Sequence, residues 1–164
     1  MIYAGFTMMG SMDSIMVCVD FSKLTNRVVE TAVDYASCCG LPVHVVHVRT
    51  GASGVKHVVT SDQYGTIRRA KAMKESEAFD SVVDAVRKTG LQVSSHISGG
   101  QIVDVIVEQA RKVNPKIIVM GSHGTGAMYH LIVGSVAGGV LNKLSVPVLL
   151  VPGEKEDSSN TASA

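Results

Sequence analysis

Short apolar runs alternate along this chain with longer stretches in which apolar side chains recur every third or fourth position. The first run, Ile15-Met16-Val17-Cys18-Val19, stops at Asp20; a second covers residues 43–48 and is interrupted by His44 and His47. A weaker run, residues 92–98, carries only Val93 and Ile97 among polar neighbours, a fourth, Ile117-Ile118-Val119-Met120, breaks into Gly121, and a fifth covers residues 146–151. Continuous apolar runs of this length are the mark of parallel strands buried on both faces. Between them, Leu24, Val28, Ala32 and Ala36 repeat at helical spacing and end at Gly40 and Pro42. The same spacing joins Ile67, Ala70, Met73, Phe79, Val82, Val83 and Val86 up to Gly90, then Ile102, Ile106, Ala110 and Val113 up to Asn114-Pro115, then Val136, Val140 and Leu144 after Ser135. Each stretch presents one apolar stripe, as a helix laid on a sheet does.

Strict alternation of strand and helix implies a three-layer α/β sandwich, Rossmann-like, with right-handed crossovers. The expected sheet is five-stranded and parallel, in order 3-2-1-4-5, with helices on both faces. In such sheets a ligand crevice opens at the carboxyl ends of the strands where the order reverses, here between strands one and four. That sets Asp20 opposite the turn at residues 121–124, with Val48 at the neighbouring strand end. Ser22 is expected to cap the first helix. Residues 92–98 read as an edge strand, and Pro147 suits the start of a strand or an edge. His44 and His47 fall on opposite faces, so they cannot share one metal. Residues 50–66, polar and glycine-containing, read as a loop, a lid or dimer-edge segment. The expected organisation is a leader or expression remnant over residues 1–12, one domain over 13–153, and a disordered tail over 154–164.

Composition narrows the function. A chain of 164 residues holds one sizeable core, and a net charge of +1 gives no basis for nucleic-acid or membrane-surface binding. Arg68, Arg69, Lys71 and Lys74 cluster, but Glu75 and Glu77 follow at once, as on a solvated helix face. Cys18, Cys38 and Cys39 are odd in number and lack metal-ligand spacing, so they read as buried or half-buried thiols in a reducing compartment. No apolar run is long enough to span a membrane, and a cytoplasmic location is expected.

The chemistry concentrates after the fourth run, in Gly121, Gly124, Gly134 and Ser135. A strand's carboxyl end there meets a helix's amino end, whose unpaired amides and dipole suit an anion. Glycine lets backbone approach a phosphate closely, and the Ser135 hydroxyl can cap and donate. A turn needing glycine for its dihedrals is the competing reading; the position at the expected crevice favours a nucleotide. No Gly-Lys-Ser/Thr follows, which excludes a Walker A loop. Gly124-Thr125-Gly126 leads to Tyr129 where a dinucleotide fingerprint needs a third small residue. Ser122 sits one place from a nucleophile elbow and lacks the acid and histidine afterwards, and no aspartate ends strand three as in a phosphoaccepting receiver.

The spacing Gly, two residues, Gly, nine residues, Gly, Ser resembles the signature of the universal stress protein family, in its nucleotide-binding branch. In a chain of this composition it arises by chance about once in a hundred cases. Residues 17–20, His47-Val48, residues 117–124 and residues 147–151 are also similar to family patterns. The resemblance implies that Asp20 contacts the sugar or adenine side, Val48 meets adenine, and Met120 and Gly121 border base and sugar. His123 and Gly124 would lie near the phosphates, Gly134, Ser135 and Val136 would cradle them, and Gly100 would lie near the same pocket. It implies a stress-response module binding ATP, AMP or ADP, working as a homodimer through residues 146–151 on a protein partner still to be named. Many members have arginine or lysine just after the second glycine; this chain has Thr125, and the loop's potential cations are His123 and His130. Reduced positive charge leaves room for a monophosphate, diphosphate or cyclic nucleotide. Asp20 and Ser135 are the groups able to hold Mg²⁺ on the phosphates, with no paired carboxylates that demand it. Slow ATP hydrolysis or phosphotransfer through His123 is the alternative, and a scaffold or flavin-type carrier is a third reading.

Overall fold

Strands and helices form where the apolar pattern puts them: β1 (Ile15–Val19), α1 (Thr25–Cys39), β2 (Val43–Arg49), α2 (Asp62–Lys88), β3 (Val93–Gly99), α3 (Ile102–Val113), β4 (Ile117–Gly121), α4 (Ser135–Leu141) and β5 (Val148–Val151). The computed structural model describes residues 13–50, 62–122 and 133–153. All strand pairs are parallel, and the sheet runs β3-β2-β1-β4-β5. The chain therefore starts at the centre, moves to one edge, and returns past β1 to build the other half. The expected sandwich and strand order are the ones observed.

The two cores follow from the twofold period of the strands. Ile15, Val17, Val19, Val43 and Val45 pack with Val28, Val29, Ala32 and Ala36 of α1 and Phe79, Val83 and Val86 of α2. Met16, Val46, Val48, Ile118 and Met120 point the other way, against Ile106 and Ala110 of α3 and Ala137 and Val140 of α4. His44 falls on the α3 side and His47 on the α1–α2 side, opposite faces as the pattern requires. α4 crosses α3 closely, since a Cβ added at Gly139 would lie 2.8 Å from Val103 Cγ2. No helix among the described residues is long and apolar enough to cross a membrane.

Several local expectations change. α2 begins at Asp62, five residues before the apolar period becomes readable at Ile67, so residues 62–66 are helix; residues 51–61 lie outside the described residues, as do 1–12 and 154–164. β5 begins at Val148, because Pro147 has no amide to give the ladder; its carbonyl accepts from Ile118 N at 2.9 Å. Ser22 does not cap α1, whose N-cap is Leu24 without a side-chain bond; the Ser22 hydroxyl instead accepts the Leu24 amide at 3.3 Å. Cys38 and Cys39 are exposed, while burial pushes the Cys18 thiol up to about 12.

Candidate functional site

The ladder between β1 and β4 parts before its strands end. Their pairs are Ile15↔Ile117, Met16↔Ile118 and Val17↔Val119, although β1 continues to Val19 and β4 to Gly121. The other neighbours stay paired to their tips, with Val19↔His47, Arg49↔Gly99 and Gly121↔Val151. The gap lies between β1 and β4, where successive crossovers leave in opposite directions and a ligand crevice is expected in sheets of this kind.

One wall is the turn after β1. Asp20 is exposed, and its Oδ1 accepts the Ser22 amide at 3.0 Å, which leaves Oδ2 for a ligand. Between them Phe21 adopts φ +58°, a left-handed conformation that stores about 1–3 kcal/mol in a bulky residue. The Ser22 carbonyl takes the Thr25 amide at 3.0 Å and leads into α1.

The other wall joins β4 to α4. Ser122 donates its amide to Val151 O and accepts from Gly134 N, both at 2.9 Å, so α4 starts beside the end of β4. Gly134, not Ser135, is the capping residue, because its extended ψ of 154° turns its carbonyl to the Gly138 amide at 2.9 Å. The amides of Ser135, Val136 and Ala137 precede that first helical bond, so no i−4 carbonyl within α4 satisfies them. The Ser135 hydroxyl is exposed beside them. Gly134 contributes space rather than a donor, its amide being taken by Ser122. His123 and Gly124 lie outside the described residues, as do Thr125 and His130.

Val48, Met120 and Val136 belong to one apolar cluster on the α3–α4 side of the cleft, where a flat apolar ring would find its partners. Gly100 follows β3, two strands from the opening. Its φ of +157° and the 2.8 Å between a built Cβ and Val105 Cγ2 make it a requirement of the turn into α3. Among the described residues no group of three or more His, Cys, Asp or Glu side chains could hold a metal ion.

Three residues at this end of the sheet have contacts that the pattern did not announce. His47 is buried, its Nδ1 lies 2.8 Å from the Val19 carbonyl, and its ring stands 4.3 Å from Phe21 and 6.4 Å from Phe79. Arg49 turns toward α2, donating from Nη2 to Ser76 Oγ at 2.7 Å with Nε 3.8 Å from Glu75. Arg27 ties α1 to the end of β5 through Pro152 O at 3.2 Å. No sequence motif marks these contacts; each joins side chains from separate elements, or a side chain to distant backbone.

Comparison with known proteins agrees with the fold. The family model of the universal stress protein family matches residues 12–152. Universal stress protein G of Salmonella typhimurium is 25% identical over 133 residues, covering 79% of this chain and 89% of its own. The structure of the universal stress protein from Archaeoglobus fulgidus in complex with dAMP superposes with a TM-score of 0.61 at 29% identity, over 84% of this chain and 96% of that one. A universal stress protein in complex with cAMP shares the fold at 17% identity and a TM-score of 0.58, over 87% and 98% of the two chains. With a family model spanning every described element, the chain belongs to the universal stress protein family.

Proposed function

We propose that this protein binds an adenine nucleotide, ATP or its AMP and ADP relatives, in the cleft between β1 and β4. The observation that carries the reading is the early parting of the β1–β4 ladder, with Asp20 on one lip and the first-turn amides of α4, which have no i−4 carbonyl within that helix, on the other. The base lies against Val48, Met120 and Gly121, Asp20 Oδ2 accepts a sugar hydroxyl, and the amides of Ser135 and Val136 with the Ser135 hydroxyl receive the phosphates. His123, Gly124 and the space at Gly134 complete that cradle in this reading, and Gly100 lies toward the same pocket from the β3 side. The dAMP bound to the Archaeoglobus fulgidus relative and the cAMP bound to the more distant one support the choice of adenine. Mg²⁺, where it accompanies the phosphates, finds Asp20 and Ser135 as its protein-side oxygens.

The nucleotide serves regulation in a dimer rather than turnover. β5 is an edge strand whose outer backbone groups have no neighbour among the described strands, and antiparallel pairing with a second copy covers them. Mass spectrometry of ligand released from the purified protein, followed by calorimetry on stripped protein, tests the reading. Adenylate is expected in the released material, with saturable binding that weakens about tenfold or more in Ser135→Ala or Asp20→Ala. Absence of heat with AMP and ATP at millimolar concentration contradicts it. Sedimentation is expected to show a dimer that Leu149→Arg dissociates.

A further inference from the structure

His47 is costly where it stands. β2 is buried along Val43, Val45, Val46 and Val48, and a histidine among them must hide two ring nitrogens. Nδ1 meets the Val19 carbonyl at 2.8 Å, whereas Nε2 is buried with no protein partner among the described residues. Because a carbonyl only accepts, Nδ1 carries the proton and donates it. An apolar residue would fill this place without a second ring nitrogen to hide; what the imidazole adds is the bond that Nδ1 makes and the ring on which Phe21 rests.

Both contacts end at the turn that presents Asp20. Val19 is the last residue of β1, immediately before Asp20. Phe21, immediately after, rests on the His47 ring at 4.3 Å while holding φ at +58°. The imidazole thus grips the backbone on one side of Asp20 and the side chain on the other. Such a strained turn persists only where its surroundings over-determine it, and here the Asp20–Ser22 closure and the His47 ring supply that constraint.

We propose that His47 is the positioning residue that holds the Phe21 turn so that one oxygen of Asp20 faces the nucleotide sugar. The proposal deepens the adenine-nucleotide reading and rests on it for the ligand. His47 touches no part of the nucleotide; it acts through Val19, Phe21 and Asp20.

The test uses the full chain and two probes, AMP and its 2′,3′-dideoxy analogue, measured by calorimetry on wild type, His47→Phe, His47→Asn, Asp20→Ala and the His47→Phe/Asp20→Ala pair. Phenylalanine keeps a ring and removes the donor; asparagine keeps a donor near the Nδ1 position. His47→Phe is expected to weaken AMP about five- to tenfold and the dideoxy analogue less than about twofold, with no further loss on the Asp20→Ala background. His47→Asn recovers most of the AMP affinity. Equal weakening of both probes, a full additional loss on the Asp20→Ala background, or an unchanged AMP affinity in His47→Phe overturns the proposal. A ligand-free arm separates this from failure of the nucleotide reading: hydrogen exchange at the Ser22 amide is expected to speed up about tenfold in His47→Phe and to stay near wild type in His47→Asn. Should wild type ignore AMP, the nucleotide reading falls, and unchanged Ser22 exchange in His47→Phe then sinks the positioning role as well.

Discussion

His44 and His47 sit three residues apart on one strand, both buried, and meet opposite chemistry. His44 looks toward α3 near the edge of the sheet, where Ser94 Oγ of β3 lies 2.8 Å from Nδ1 and the Gln109 and His96 side chains stand nearby. His47 looks toward α1 and α2, where its partners are a main-chain carbonyl and two phenyl rings. One histidine is held by side chains at a polar rim; the other holds backbone at the mouth of the cleft. Alternation along a strand decides which face a residue takes, but the neighbours on that face decide whether it serves the edge or the site.

The largest expected effect is on the aromatic side. Phe79, 3% exposed, backs the His47 ring, and Phe79→Ala is expected to lower the unfolding free energy by about 3–5 kcal/mol in urea titrations. A loss below about 1 kcal/mol would mean that the enclosure of His47 is not structural. On the other face, Gly139→Ala drives a methyl against Val103 and is expected to lose about 1–3 kcal/mol, most of it regained in the Gly139→Ala/Val103→Ala pair. No rescue would break the link between that glycine and the α3–α4 crossing.

A smaller effect is expected from His44 as pH changes. Burial holds His44 below its usual range, a hydrogen bond with Gln109 opposes that, and repulsion from His96 adds to it. A histidine lowered in the folded state is stabilising in its neutral form. The contribution is present above about pH 6.5, where the unfolded histidine titrates, and is lost as pH falls through that value toward the folded one. Wild type is expected to lose more stability than His44→Gln between pH 7.5 and 5.5. Equal slopes of the urea midpoint against pH would remove His44 from that role. Smallest is the exposed pair of Lys143 and Asp104, 2.7 Å apart, where Lys143→Ala is expected to change the midpoint by less than about 0.5 kcal/mol. A larger change would show that the polar surface of α3 matters more than its exposure suggests.

The layers and the parallel sheet were legible in the sequence because they rest on apolar period and on the alternation of elements, and the expected strand order is the one observed. The start of α2 was not, since residues 62–66 carry polar and glycine positions with no apolar stripe, and helix there depends on continuation from the buried part of α2. Asp20 was legible as the acid that stops a strand; its closure on Ser22 and the left-handed Phe21 were not, because a local turn beyond the strand has no period. His47 was legible as a strand residue facing away from His44; that its Nδ1 meets the Val19 carbonyl was not. Its ties to Val19, Phe21 and Phe79 come from the β1–β2 register and the docking of α2, which the spacing along one strand cannot express.

The most direct test of the central claim is an amide-resolved titration of the ligand-stripped, isotope-labelled protein with AMP. The largest saturable shifts are expected at Asp20, Phe21, Val48, Gly121, Ser135 and Val136, with His44, Ser94 and Gln109 unmoved. Shifts concentrated at the His44 rim, or none at millimolar AMP, would contradict an adenylate site between β1 and β4.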